Sequence, residues 1–253
     1  MSAVASFIPS HSSWLDRLSQ EKVHIYRSKF DDLSEGLLEY LSPSEKMRAV
    51  SSRSFSKTQR EFGLGRGWLR HLLSRYSNIP AAELRLIFGE KGKPELFCNP
   101  AHLSFNISHS GDEICAIISQ NLEVGIDLEE LSEKKWSPNL AAEILSENEI
   151  REFNTLNEKE KMRSFFYIWT QKEAYLKAIG RGLSIAPNTI EVTVNPLRLP
   201  QLIKSLSADE PKEWQMFSLF DLKEFYCIAA VRTSSNQLEA PKVIHWKADS
   251  CLD

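Results

Sequence analysis

The segment Val124-Gly125-Ile126-Asp127-Leu128-Glu129 alternates apolar and polar residues so regularly that an extended strand is the conformation that sorts them. Val124, Ile126 and Leu128 face one side of that strand, and Asp127 and Glu129 face the other. Some forty residues later, Trp169-Thr-Gln-Lys172-Glu173-Ala-Tyr-Leu-Lys177 reads as a helix. On it Trp169, Glu173 and Lys177 lie four residues apart along one stripe. A fold that packs this helix on this strand brings three carboxylates and one ammonium together from two rigid elements. Such a group suits a hard divalent cation held against a phosphate ester.

A chain of 253 residues can bury a sizeable core as one large domain or two small ones. Its net charge of −3 argues against a general nucleic-acid binder. The charge is unevenly spread. Residues 43–93 hold eleven Lys/Arg against four Asp/Glu, and residues 123–160 show the mirror imbalance, eleven acidic against four basic. A basic shelf beside an acidic cation site suggests a polyanionic ligand. Cys98, Cys115, Cys227 and Cys251 have no metal-ligand spacing, and Cys115 and Cys227 sit in apolar runs as buried thiols of core strands. The N-terminal stretch is too short and interrupted for a signal peptide, and no apolar run reaches membrane-spanning length. The expectation is a soluble, cytoplasmic protein.

Ser42-Pro43-Ser44-Glu45 predicts a helix from Pro43, and the capping box Ser56–Gln59 predicts another through Phe62, Trp68, Leu69, Leu72 and Leu73 to about Tyr76. That helix contains Gly63-Leu-Gly65-Arg-Gly67. No strand precedes these glycines and the third is misplaced for a dinucleotide fingerprint, so close packing against another element explains them better. Strands are predicted over Leu84–Phe88, Leu103–Ile107 and Glu113–Ile118, and later around Ile190–Val194, Trp214–Leu219 and Phe225–Val231. Ser137-Pro138 and Ser146–Glu149 open two further helices, and Gly180 caps the Trp169 helix. Helices and strands follow a loosely similar order on both sides of residue 122, which predicts subdomains over 1–122 and 123–253 of an α+β fold. The last twelve residues read as a peripheral strand and a frayed end.

Asp127 and Glu129 could be ordinary exposed strand residues, but Asp is unfavourable in strands and here it follows a glycine of the kind that marks close approach. Glu173 and Lys177 could be a surface i,i+4 pair, yet the aromatic density around them (Phe165, Phe166, Tyr167, Trp169, Tyr175) implies burial, where such a pair is kept for a task. Ser108-His109-Ser110-Gly111 follows a strand end. Adjacent residues there point to opposite faces, which disfavours a serine nucleophile and favours phosphate contacts from a loop. Lys91-Gly92-Lys93-Pro94 is a basic turn.

Taken in order, Lys91-Gly-Lys93-Pro94, Phe105-Asn-Ile-Ser108-His109-Ser110-Gly111-Asp112, Val124-Gly-Ile-Asp127-Leu-Glu129 and Phe166-Tyr-Ile-Trp169-Thr-Gln-Lys172-Glu173-Ala-Tyr-Leu-Lys177-Ala-Ile-Gly180-Arg-Gly182-Leu183 resemble the 4′-phosphopantetheinyl transferases of the larger, surfactin-synthetase type. The likeness spans residues 40–185 by motif and the outer parts by strand pattern. It implies two similar subdomains related by a pseudo-twofold, each a small, mainly antiparallel sheet packed with helices, with coenzyme A in the cleft between them. It implies Mg²⁺ (Mn²⁺ as the alternative) on Asp127, Glu129 and Glu173. Ser108, His109 and Lys93 would touch the nucleotide end of coenzyme A, and Lys46, Arg48 and Arg53 its phosphates. Glu149 matches an acidic family position that its capping box explains equally well. Asp127, Glu173 and Lys177 would carry catalysis and contact the cofactor. Phosphopantetheine would pass to a serine of an apo acyl or peptidyl carrier protein, releasing adenosine 3′,5′-bisphosphate. Glu173, directly or through a water on the metal, would take the serine proton, and Lys177 would stabilise the attacked phosphoryl group. The implied enzyme is a monomer that engages neither nucleic acid nor membrane. A carrier-binding module without activity and a Mg²⁺-dependent phosphoesterase are the competing readings.

Overall fold

A computed structural model describes residues 18, 23–50, 56–89, 91–205, 211–219, 223–233 and 241–245. In chain order the strands are β1 (Val23–Lys29), β2 (Leu86–Phe88), β3 (Pro94–Leu96), β4 (Leu103–Ser110), β5 (Glu113–Gln120), β6 (Val124–Glu130), β7 (Glu191–Val192), β8 (Leu202–Lys204), β9 (Trp214–Ser218), β10 (Phe225–Arg232) and β11 (Lys242–His245). The α-helices are α1 (Pro43–Val50), α2 (Lys57–Ser77), α3 (Pro138–Ile144), α4 (Glu147–Phe153) and α5 (Glu158–Ala178).

The helix starts follow their caps. Ser56 accepts from Gln59 N–H in a reciprocal capping box, Ser146 does the same with Glu149, and Ser137 caps α3 ahead of Pro138. Past the end of α5, Gly180 takes φ +65°, the left-handed conformation that lets the chain leave the helix. The first predicted strand is shorter than expected, beginning at Leu86. The Ser108 strand is longer, running to Ser110 before a two-residue turn at Gly111-Asp112 in which Gly111 has φ +60°. The Ser108–Ser110 segment is therefore strand, not loop, because β5 pairs with it antiparallel as far as Ser110 opposite Glu113.

The protein is α+β. One sheet has the order β11-β1-β5-β4 and a second β6-β10-β9, with β2-β3 and β7-β8 as small hairpins. Pairing is antiparallel except between β1 and β11. Three apolar clusters order the layers. Leu64, Trp68 and Leu72 of α2 pack on Tyr26, Phe105 and Ile118 of the first sheet. Its opposite face, with Ile25, Cys115 and Ile117, meets Val124, Ile126, Leu128 and Cys227 of the second sheet. The far face of the second sheet, with Ile228 and Ala230, receives Phe166, Tyr175 and Leu176 of α5. The layers thus run helix, sheet, sheet, helix, with one 21-residue helix outside each sheet. Cys115 and Cys227 are the buried core thiols expected, with sulfurs 3.8 Å apart where the sheets meet.

Close approach explains the helical glycines. A Cβ on Gly67 would stand 2.2 Å from the Leu37 carbonyl oxygen, so α2 touches the Glu35–Tyr40 3-10 segment backbone to backbone. The second sheet joins the first by an unusual seam. β6 runs parallel to β4, and its N–H groups at Ile126, Leu128 and Glu130 donate to the side chains of Asn106, Ser108 and Ser110, at 3.1, 3.2 and 3.1 Å. Side chains at every second residue of β4 stand in for a backbone ladder. The last described strand, β11, returns to the edge of the first sheet, so the sequence boundary at residue 122 does not divide the sheets cleanly.

Candidate active site

β6 and α5 meet at Gly125. A Cβ there would lie 2.2 Å from the Ala174 carbonyl oxygen and 2.4 Å from the Ala178 nitrogen, so the strand glycine does mark a backbone contact. That contact faces Asp127 of β6 toward the Trp169–Glu173–Lys177 stripe of α5. Lys177 Nζ donates to Asp127 Oδ1 at 2.5 Å and to Ser108 Oγ at 2.9 Å, and Ser108 Oγ donates to the same Asp127 oxygen at 3.0 Å. Trp169 Nε1 donates to Glu129 Oε1 at 3.0 Å and Ser110 Oγ to Glu129 Oε2 at 3.4 Å. The stripe therefore runs along β6, with Trp169 on Glu129 at one end and Lys177 on Asp127 at the other. The i,i+4 pairing of Glu173 with Lys177 read from the sequence gives way to a cross-element ion pair, because Asp127 lies within direct reach of the ammonium.

Among the described residues, two buried carboxylate oxygens have no hydrogen-bond partner: Asp127 Oδ2 and Glu173 Oε1. Burial, then repulsion from Asp127, raises the Glu173 carboxyl from 4.5 to about 7, against the pull of Lys177. Glu129 is also raised, by burial and then by Asp127, with its Trp169 bond opposing. Burial works against the charge of Lys177, but the surrounding carboxylates, Asp127 foremost, more than offset it and hold the ammonium above its usual range. The electrostatics are those of too much negative charge for one lysine to neutralise. Among the described residues no three His, Cys, Asp or Glu side chains already stand together as a metal cage. Lys177 occupies Asp127 Oδ1, and both oxygens of Glu129 accept hydrogen bonds. The two orphaned oxygens nevertheless fit a hard cation, since each is a buried acceptor lacking a positive partner.

The other predicted residues separate. His109 points away from Ser108, edge-on to Phe30 with ring centroids 5.6 Å apart, and burial lowers its pKa. Lys46 and Arg48 are exposed on α1, with Arg48 over the Phe62 ring at 4.1 Å. Arg53 lies outside the described residues. Lys93, expected at the nucleotide, instead donates to the Ala178 and Val124 carbonyls. The basic shelf is smaller than its charge count, because Arg70 is buried on Glu45 and on the Ala81 and Leu84 carbonyls.

Two models of one family match consecutive parts of this chain: the 4′-phosphopantetheinyl transferase superfamily over residues 123–247, and the 4′-phosphopantetheinyl transferase N-terminal family over residues 28–121. The chain belongs to the 4′-phosphopantetheinyl transferase superfamily. It is 28% identical to the 4′-phosphopantetheinyl transferase HetI of a Nostoc species, over 92% of this chain and 98% of that protein. It is 30% identical to the L-aminoadipate-semialdehyde dehydrogenase-phosphopantetheinyl transferase of Rattus norvegicus, over 75% of this chain and 66% of that one. A crystal structure of a holo-(acyl-carrier-protein) synthase from Bacillus anthracis in complex with coenzyme A is 30% identical over 45% of this chain and 96% of that chain, with a TM-score of 0.37. As a phosphopantetheinyl transferase, the chain is an enzyme that moves phosphopantetheine from coenzyme A to a carrier protein.

Several contacts around the candidate site are not legible in the sequence. The ladder Asn106–Ser108–Ser110 was readable as small polar residues at period two, but nothing in the sequence named β6 as its partner. The spacing puts Trp169 on the Glu173–Lys177 stripe, but nothing in the sequence shows that its indole N–H donates to Glu129. Lys172 is fully buried and donates to Glu149 Oε2 at 2.6 Å and to the carbonyls of Ile144 and Pro187. The other Glu149 oxygen accepts from Val192 N–H, so this residue does more than cap α4.

Proposed function

We propose that the transferase uses the Asp127–Glu173–Lys177 cluster to hold the diphosphate of coenzyme A through a divalent cation, Mg²⁺, and belongs to the larger, two-half type of the family. The observation that carries this is the pair of buried, partnerless carboxylate oxygens on Asp127 of β6 and Glu173 of α5, beside the ammonium of Lys177. Asp127, Glu129 and Glu173 are the residues that would hold the ion. The ion, when bound, neutralises diphosphate oxygens and charge growing on the leaving group.

The chain's own groups do the rest. Glu173, raised toward neutrality in the free protein, is the base that takes the proton from the carrier's serine hydroxyl. Lys177 remains protonated and supplies positive charge to the phosphoryl oxygens as the bond to the nucleotide breaks. Ser108 holds Asp127 and Lys177 in place through its three contacts. Lys46, Arg48 and Arg53, with His109 at the near end of β4, are the partners proposed for the nucleotide and its phosphates. The product is adenosine 3′,5′-bisphosphate. The enzyme works as a cytoplasmic monomer; the thiols of Cys98, Cys115 and Cys227 are free, as a reducing compartment would keep them.

Incubation with coenzyme A, Mg²⁺ and an apo carrier, followed by intact mass of the carrier, tests the reading. A phosphopantetheine mass on the carrier is expected. Coenzyme A breakdown without carrier, or a carrier retained but unmodified, would overturn it.

A further inference from the structure

Lys93 belongs to the first half of the chain, at the mouth of the β2–β3 hairpin, yet its ammonium lies in the second. Nζ donates to the Ala178 carbonyl at 2.5 Å and to the Val124 carbonyl at 3.3 Å. Ala178 is the last residue of α5 and Val124 the first of β6. One cation thus ties the end of the helix that carries Glu173 and Lys177 to the start of the strand that carries Asp127.

The location matters chemically. The final carbonyls of a helix lack intrahelical partners and carry the negative end of its dipole, where an ammonium is favoured. Burial pushes the Lys93 pKa down, against the pull of Glu123 and Glu95, and the two carbonyls give the desolvated ammonium hydrogen-bond acceptors. The stem is shaped to the same place. Gly180, at φ +65°, leaves no room for a larger residue without contact, since a Cβ there would lie 3.3 Å from Lys93 Cδ. The tie also sits beside the Gly125 contact, where strand and helix touch without side chains between them. Backbone contact sets how closely β6 and α5 approach but does not stop one from sliding along the other. Two hydrogen bonds from one ammonium at that end do.

We propose that Lys93 is a positioning residue that fixes the register of α5 on β6, and so the spacing of Asp127 from Glu173 and Lys177. This rests on the reading of those three as the cation and catalytic site. A nucleotide-contacting lysine would behave differently, and the two roles can be told apart.

Lys93→Met keeps the stem and removes the ammonium. The expected result is a fall in kcat of about 10- to 100-fold, equal for coenzyme A and 3′-dephospho-coenzyme A, with Mn²⁺ affinity of the cofactor-free protein, measured by electron paramagnetic resonance, weakened by a similar factor. Lys93→Arg, which retains donors, is expected to recover part of both. The proposal is overturned if Mn²⁺ affinity and kcat are unchanged while KM rises for coenzyme A alone, the signature of a phosphate contact. Where Lys93→Met does not fold, Lys93→Gln supplies the same comparison. If wild-type protein transfers nothing, the function above fails, while the Mn²⁺ titration still decides the role of Lys93.

Discussion

Two buried lysine–carboxylate clusters lie five residues apart on α5, and they are built in opposite ways. At Lys172 every proton of the ammonium has an acceptor, on Glu149 and the Ile144 and Pro187 carbonyls, and Glu149 in turn accepts from Lys172, Ser146 N–H and Val192 N–H. At Lys177 the partner Asp127 keeps one oxygen unpaired, Glu173 keeps another, and both the Glu173 and Glu129 pKa values rise. The first cluster is complete and pins α4, α5 and β7 together. The second is incomplete in the sense that a cation would complete. Burial of charge alone does not separate a structural pair from a functional one; unmet hydrogen-bonding capacity does.

The contrast breaks first, and most widely, under paired substitution. Glu173→Gln is expected to lower the transfer rate by about 10²- to 10⁴-fold, the size of a lost general base, while thermal melting stays near wild type. Asp127→Ala should lower the rate as far, and it should also cost stability, because it leaves the Lys177 ammonium without its ion partner. Lys172→Met is expected to do the reverse, costing about 3–5 kcal/mol of stability by leaving Glu149 buried and uncompensated. Chemical denaturation reads that loss. A Lys172→Met protein as stable as wild type, or a Glu173→Gln protein with ordinary activity, would erase the distinction.

A smaller effect is expected at Gly125. Gly125→Ala places a methyl against the Ala174 carbonyl and must push α5 outward, at about 1–3 kcal/mol. The shift should disable the Lys177 cluster more than the Lys172 cluster, so activity falls further than melting temperature. The last effect is a pH slope, which leaves activity and fold in place. In the metal-free protein Glu173 binds its proton more tightly folded than unfolded, with a folded value of about 7 against an ordinary 4.5. Folding therefore takes up a proton between those values, and stability declines as pH rises from about 4.5 to about 7. Glu173→Gln should flatten that decline, and saturating Mg²⁺ should do the same for wild type. An identical slope in wild type and variant would assign the titration elsewhere.

Much of this could be read before the structure because it rests on local rules. Capping boxes placed the starts of α2 and α4, alternation placed β6, and four-residue spacing put Trp169, Glu173 and Lys177 on one stripe. What the sequence did not show is contact between elements distant in the chain. The parallel seam of β4 and β6 depends on side chains of Asn106, Ser108 and Ser110, for which no pairing rule exists. The choice of Asp127 over Glu173 as the ion partner of Lys177 depends on a backbone contact at Gly125. Likeness puts Lys93 at the nucleotide, and no sequence rule shows the contact its ammonium makes with a helix end.

The return of β11 to lie beside β1 has a practical consequence. His24 pairs with Lys242 and Arg27 with His245, so the piece that follows residue 122 supplies an outer strand to the piece that precedes it. A protein cut at the Asn121 turn would yield two fragments, the first lacking an edge that only the second can provide. Co-expressed halves should reassemble on that account, and rejoining the ends by a linker would give a permuted enzyme opening at the seam.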